Sequence, residues 1–129
     1  MEFSELLKNL DIDFLGNSRH KKSIEALLQD KNSIFLDIRT DEEIRNLDIR
    51  LEDFVEVKRI PTNEIPERME ELSKDKTIGV FCPGAVRASI AWAYLYSNGF
   101  KNAKIAIGGY QAVTDAVKTG KVYKNIQKS

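Results

Sequence analysis

The distribution of apolar residues along the chain predicts strands alternating with helices. Three short runs rich in Ile, Val and Phe lack a clean polar alternation: SIFLDI (33–38), TIGVF (77–81) and AKIAI (103–107). Such runs are typical of strands buried on both faces, as in a parallel sheet. FVEVKRI (54–60) alternates better and is predicted to be an edge strand, and DIDFL (11–15) is a weaker fifth candidate.

Helical spacing of apolar residues lies between these runs. It predicts five helices, over 23–30, 40–47, 63–75, 85–100 and 110–120. Ser23 is a candidate N-cap for the first of them. The fourth is apolar nearly all round, so it is expected to lie deep in the domain. Strands alternating with helices predict an α/β domain with a mainly parallel sheet.

Length and charge bound the class of protein. The 129 residues contain no repeats and no Pro/Gly/Ser-rich linker, which predicts a single domain over 1–129. The 20 basic and 20 acidic residues cancel, which argues against a dedicated nucleic-acid binder. No apolar run is long enough to span a membrane and the N-terminus lacks signal-peptide features, so we expect a cytoplasmic protein. The tail 119–129 is expected to fray.

The single cysteine occupies a position suited to chemistry. Cys82 follows a predicted strand and opens the turn CPGAVR into a predicted helix, the place where sites form in α/β sheets. Free N–H groups at the helix N-terminus and the charge of Arg87 both favour a thiolate there. A lone cysteine after a strand is also often a small core residue. These residues alone leave both interpretations open.

Three further motifs follow one another at characteristic spacings. FLDIRTDEEI places Asp37, Arg39 and Glu43 after the first central strand; Cys82 and Arg87 have four residues between them; KIAIGGYQAV ends a strand with Gly108 and Gly109. In this order, together with Gly99–Phe100 after the helix, they resemble the rhodanese-like sulfurtransferases over about residues 23–118. Residues 1–22 are then an N-terminal extension, expected to add a strand and an extra helix.

The resemblance implies a fold, a mechanism and a set of site residues. The fold is a five-stranded parallel sheet flanked by helices. Cys82 would take a sulfane sulfur from thiosulfate or a persulfide as Cys–S–S⁻ and pass it to a thiophilic acceptor. The implied catalytic residues are Cys82 and Arg87, and the implied substrate-binding residues are Pro83, Gly84, Ala85, Val86 and Ala88. No metal or cofactor is implied; the partners are a small anionic donor and, as one candidate acceptor, a protein thiol.

The loop departs from the family pattern at three positions. Ala85 stands where active members often have glycine, so a turn that needs positive φ there would be strained. Pro83 removes a backbone donor, and Ala88 replaces a frequent hydroxyl residue. These departures keep open a second hypothesis, a catalytically weak rhodanese-like module that binds or regulates a partner. A phosphatase or arsenate reductase is disfavoured because those relatives have five residues between Cys and Arg.

A few other residues carry weaker signals. The basic cluster RHKK (19–22) is predicted to be a solvated turn. His20 is the single histidine, which excludes a multi-histidine metal site; a Cys–His–Asp system is disfavoured because the helix terminus and Arg87 already favour the thiolate. Arg39 and Glu43 are expected to pair, being four residues apart. Trp92, Tyr94 and Tyr96 are expected to pack in the core, with one ring a candidate to flank the site entrance.

Overall fold

The computed structural model describes residues 1–118 and is built on one five-stranded sheet. All strand pairs are parallel, and the order across the sheet is β1-β5-β4-β2-β3. The predicted α/β fold with a five-stranded parallel sheet is therefore confirmed. The strands are β1 (Lys21–Ser23), β2 (Ser33–Asp37), β3 (Glu56–Arg59), β4 (Thr77–Phe81) and β5 (Ala103–Ile107).

Helices cover both faces of the sheet, and each face has its own apolar core. One core includes Leu6, Trp92 and Leu95, and Cys82 lies within it; the other includes Leu27 and Phe81. The helices are α1 (Phe3–Asn9), α2 (Ile12–Gly16), α3 (Ile24–Gln29), α4 (Asp41–Asn46), α5 (Ile65–Arg68), α6 (Val86–Ser97) and α7 (Gly109–Lys118).

The central strands match their predicted runs because they are buried on both faces. Every residue of β2 is buried, and so are the last four residues of β4. The register of these two neighbours sets Asp37 beside Phe81. The segment that follows β2 therefore lies next to Cys82, which follows β4. The predicted edge strand is also confirmed, since β3 lies at one edge of the sheet.

Two predictions for the N-terminal region are wrong. DIDFL (11–15) is not a strand: Asp11 caps a helix by accepting a hydrogen bond from the Phe14 amide at 2.9 Å. RHKK (19–22) is not only a turn, because Lys21 and Lys22 belong to β1, which pairs with β5 at the other edge of the sheet. The strand is held by backbone pairing and has no apolar pattern to reveal it. The extension 1–22, expected to add a strand and one extra helix, therefore supplies two helices and the first two residues of the edge strand β1.

Two helix predictions also need correction. The segment 63–75 is not one helix but 3₁₀ turns at Thr62–Glu64 and Met69–Glu71 around the short α5. Arg68, whose φ of −126° is not helical, bonds both Glu64 and Glu71 at this break. Helix α6 is not deep in the domain: one face is buried, while Val86, Ile90 and Tyr94 are exposed.

The remaining predictions stand as follows. Ser23 caps α3, accepting from the Ala26 amide at 3.1 Å as expected. Within residues 1–118, no helix has the length and apolar character needed to cross a membrane. The predicted fraying of 119–129, and the end of the helix predicted over 110–120, lie outside the described residues.

Candidate functional site

Cys82 lies at the base of the loop that joins β4 to α6. Its side chain is 2% exposed, and its Sγ accepts a hydrogen bond from the Ala88 amide at 3.2 Å. This amide belongs to the first turn of α6, where N–H groups have no acceptor within the helix. The helix N-terminus thus directs a backbone donor and the partial positive charge of the helix dipole at the sulfur.

The other loop residues that are predicted to bind substrate follow Cys82 directly in the sequence. Pro83 is half-buried, while Gly84, Ala85 and Val86 are exposed at the rim of the site. Ala85 is the N-cap of α6 and supplies no side-chain hydrogen bond. The structure therefore brings the predicted residues 82–88 together in one turn, and the backbone amide of Ala88 donates to the sulfur.

The backbone of Ala85 does have the positive φ that would be strained at this position. Its φ of 70° and ψ of −21° fall in the left-handed region, where a Cβ is unfavourable. Gly84, by contrast, does not have positive φ and has nothing within 4 Å of where a Cβ would stand. The glycine of this loop is therefore one position earlier than the backbone conformation favours.

Moving the glycine should stabilise the protein. We expect Ala85→Gly to raise the free energy of unfolding by about 0.5–1 kcal/mol. Glycine removes the strain of a Cβ in the left-handed region, and this gain is larger than the loss caused by the greater backbone entropy of glycine in the unfolded chain. Gly84→Ala is the matched control and should not destabilise the fold. Urea unfolding of both single variants and the double variant measures this; a destabilised Ala85→Gly variant would contradict the assigned strain.

The segment after β5 supports the loop from the neighbouring strand. Gly109 has a φ of +61°, and a Cβ on it would stand 2.7 Å from the Pro83 carbonyl oxygen. Any side chain at this position would push against the cysteine loop. The glycine of the GGY motif is thus required for close approach of two backbone segments, and the next residue, Tyr110, packs its ring against Phe81.

Arg87 is held by Glu43 and not left free in the loop. Its Nη1 and Nη2 donate to the two carboxylate oxygens of Glu43 at 2.7 and 2.9 Å. Glu43 is itself fixed by a capping box with Thr40 at the start of α4. The predicted pairing of Glu43 with Arg39 is wrong, because a spacing of four residues identifies partners only within one helix. The adjacency of β2 and β4 in the sheet is what brings Glu43 to Arg87.

The ion pair shifts the titration of both groups. Hydrogen bonds from Arg87, then from the Thr40 amide, lower the pKa of Glu43 to about 2. The same interaction raises the pKa of the Arg87 guanidinium. Glu43 uses two of the five N–H donors of Arg87. The other three have no acceptor within residues 1–118 and could bond an anion. The pair as a whole is electrically neutral.

This shift predicts an acid-dependent loss of stability. The ordinary pKa of a glutamate is 4.5, so the pair stabilises the fold fully above that pH and less as the pH falls towards about 2. We expect Glu43→Gln to have a shallower decline in unfolding free energy between these pH values than the wild type. Urea unfolding across this range measures it, and parallel curves for the two proteins would contradict the pairing.

Behind the loop, Asp37 and Arg39 form a buried ion pair. Arg39 is fully buried; its Nη2 bonds Asp37 Oδ2 at 2.7 Å, and its Nη1 donates to the Leu47 carbonyl at 2.7 Å and to the Tyr110 hydroxyl at 3.3 Å. Burial by itself lowers the pKa of Arg39, but the hydrogen bonds to Asp37 and Tyr110 outweigh it and the pKa is raised. The pair joins the ends of β2 and β5 around the cysteine loop.

His20 takes no part in this arrangement. Its ring lies against Phe14 and Trp92, with both centroid distances 6.3 Å, and Trp92 Nε1 donates to the Ala103 carbonyl at the start of β5. His20 comes just before β1, whereas Cys82 comes just after β4, so the two lie at opposite ends of the parallel strands. Burial, followed by the charges of Lys21 and Lys104, lowers the pKa of His20.

The three aromatic residues of α6 lie on different faces of the helix. Trp92 is buried and Tyr96 packs against the same core, as predicted, but Tyr94 is exposed. Among residues 1–118, no group of three or more His, Cys, Asp or Glu side chains is placed to hold a metal ion.

Comparison with known proteins identifies relatives that share this domain. The chain is 32% identical over 89 residues to a tRNA sulfurtransferase of Shewanella sp. (strain ANA-3), covering 69% of this chain and 18% of that protein. It is 29% identical over 115 residues to a tRNA uridine(34) hydroxylase of Buchnera aphidicola, covering 81% of this chain and 35% of the relative. The chain thus spans less than a fifth of the tRNA sulfurtransferase and about a third of the hydroxylase.

Solved structures show the same fold. An NAD-dependent persulfide reductase from A. fulgidus superposes with a TM-score of 0.59 at 30% identity, covering 81% of this chain and 17% of that one. A rhodanese-related protein from Thermoplasma volcanium superposes with a TM-score of 0.59 at 24% identity, covering 76% of this chain and 93% of that one. A family model for the rhodanese-like domain matches residues 20–116. With this match, the parallel sheet and the cysteine loop between β4 and α6, the chain belongs to the rhodanese-like domain family.

Proposed function

We propose that this protein transfers sulfane sulfur through a persulfide on Cys82. The observation that carries the proposal is the Ala88 N–H, which donates to Cys82 Sγ at 3.2 Å from the N-terminus of α6. The same N–H groups suit the anion that the reaction forms. Sulfurtransferase and persulfide reductase activities named for the relatives support this chemistry.

The reaction has two steps that balance. The Cys82 thiolate attacks the outer sulfur of thiosulfate or of a persulfide; a new S–S bond forms, and sulfite or a thiolate leaves with the electron pair. An acceptor nucleophile, such as cyanide or a thiolate, then attacks the terminal sulfur of Cys82–S–S⁻. The thiolate of Cys82 is regenerated, and neither step calls for a metal or an organic cofactor.

The residues around Cys82 have separate roles in this proposal. The amides of Gly84, Ala85, Val86 and Ala88 would hold the anionic terminal sulfur, while Pro83 fixes the turn. Arg87, positioned by Glu43, would donate hydrogen bonds to the anion at the mouth of the loop. A ring with four residues between Cys82 and Arg87 suits one sulfur atom better than a tetrahedral oxyanion. A reducing compartment such as the cytoplasm, which we propose as the setting, would keep the thiol available.

Steady-state kinetics with cyanide as acceptor test the proposal. With thiosulfate or glutathione persulfide as donor, we expect thiocyanate formation with parallel double-reciprocal lines, and none above background for Cys82→Ser. Turnover that survives in Cys82→Ser would contradict the mechanism. Hydrolysis of p-nitrophenyl phosphate dependent on Cys82, without sulfur transfer, would favour a phosphatase instead.

The second hypothesis, a weakly active binding module, is favoured by the strained Ala85 and by the exposed rim of the loop. The same assay separates the two. Wild-type protein that forms no thiocyanate with either donor would support the module, whereas turnover that improves in Ala85→Gly would support an enzyme limited by its loop.

A further inference from the structure

The exposed side of α6 carries an apolar ridge that begins at the cysteine loop. Val86, Ile90 and Tyr94 are 71%, 63% and 38% exposed and follow one another at intervals of four residues, so they line one side of the helix. A surface helix ordinarily has charged residues on this side. In α6 Arg87 is the one charged residue, and its side chain is turned to Glu43.

The ridge begins beside the loop that holds the reacting sulfur of Cys82. Val86 is the first residue of α6 and part of the rim of the loop, while Ile90 and Tyr94 lie about 6 and about 12 Å further along the helix. Cys82 itself is 2% exposed. A molecule that reacts with this sulfur must press against the loop. A partner of protein size that approaches along α6 would then cover the ridge as well.

The charges beside the loop indicate which partner would fit. Because Arg87 is matched by Glu43, the pair contributes no net charge at the mouth of the site. Asp41 and Glu42, on the same helix as Glu43, are exposed, and neither takes part in an ion pair within residues 1–118; Arg45 lies one turn further along. The carboxylates of Asp41 and Glu42 therefore favour a basic protein surface beside the loop.

We infer that the ridge of Val86, Ile90 and Tyr94 is a docking surface for a protein that carries sulfur on a cysteine flanked by apolar and basic residues. The inference deepens the proposed function, since it names the class of donor or acceptor that reaches Cys82. Apolar side chains of the partner cover the ridge, and its basic residues face Asp41 and Glu42. The partner's cysteine is then delivered at the exposed residues Gly84 and Ala85.

Binding of synthetic peptides tests the docking surface without requiring sulfur transfer. The probes are two fluorescent peptides, each with one cysteine between leucines, flanked by lysines in one and by glutamates in the other. Under reducing conditions, fluorescence anisotropy should show the lysine peptide binding the full chain at least about tenfold more tightly than the glutamate peptide. Asp41→Asn/Glu42→Gln should abolish this preference.

Substitutions in the ridge supply the specific readout. Val86→Gln and Ile90→Gln should each weaken binding of the lysine peptide, by about tenfold or more for the pair. Ile12→Gln is the matched control, because Ile12 is 86% exposed on α2, away from the loop, and its substitution should change nothing. Equal binding of both peptides, binding unaffected by the ridge variants, or no saturable binding would each overturn the inference.

The outcome separates the inference from the proposed function. A protein that binds the lysine peptide in this pattern but never forms a persulfide would keep the docking surface and contradict the sulfur transfer. One that accepts sulfur from small donors but shows no peptide preference would do the reverse. A dimer in sedimentation that dissociates in Ile90→Gln would assign the ridge to a second copy of this chain and overturn the inference.

Discussion

Replacing Arg87 by leucine is expected to lower the rate of sulfur transfer by about 10²–10³-fold, the size of effect seen when one positioned donor to a developing anion is removed. Two consequences of the substitution act together. The guanidinium no longer stabilises the persulfide anion, and the Glu43 carboxylate, which it bonds at 2.7 and 2.9 Å, is left unpaired beside the site. The measurement is kcat/KM for thiocyanate formation.

Companion variants separate charge from geometry in this prediction. Arg87→Lys keeps the charge but loses the fork that matches a carboxylate, so its activity should lie between wild type and Arg87→Leu. Adding Glu43→Gln to Arg87→Leu should restore part of the loss by removing the unpaired carboxylate. An Arg87→Leu variant with activity within about threefold of wild type would contradict the role proposed for Arg87.

The largest effect on stability is expected from Asp37→Asn. Within residues 1–118, Asp37 is the one carboxylate bonded to the fully buried Arg39. Breaking such a pair from one side typically costs about 3–5 kcal/mol because it leaves a buried charge uncompensated. Urea unfolding measures the change. The substitution should also loosen the loop, since Arg39 connects Asp37 to Tyr110 next to Gly109.

The double variant Asp37→Leu/Arg39→Met is the control for this prediction. It removes both charges and fills the site with apolar groups, so it should recover most of the loss seen in Asp37→Asn. A loss below about 1 kcal/mol for Asp37→Asn would show that water or another group compensates Arg39, contrary to the arrangement described here.

The sequence predicted those parts of the fold in which the pattern of apolar residues is compatible with only one kind of element. Residues 33–37 and 77–81 are mostly apolar and buried on both faces, and such runs are stable only between two layers. The edge strand at Lys21–Ser23 was missed because it contributes backbone hydrogen bonds to β5 and no apolar pattern. The depth of helix α6 could not be predicted, because apolar residues on all sides occur both in a core helix and in a surface helix that has an uncovered apolar face.

The site could be predicted only as far as it is local in the chain. The turn 82–88 is one continuous segment, and the strain at Ala85 followed from the glycine expected there. Glu43 was assigned to Arg39 because spacing reveals partners on one helix, whereas its partner Arg87 comes from the next strand unit across the sheet. Contacts of this kind depend on strand order, which composition does not encode.

The central claim is that Cys82 carries sulfur, and intact-protein mass spectrometry tests it most directly. After incubation with thiosulfate or glutathione persulfide, the wild type should gain one sulfur atom, about 32 Da, which cyanide removes, while Cys82→Ser gains nothing. No adduct on the wild type with either donor, or an adduct that persists in Cys82→Ser, would contradict the account.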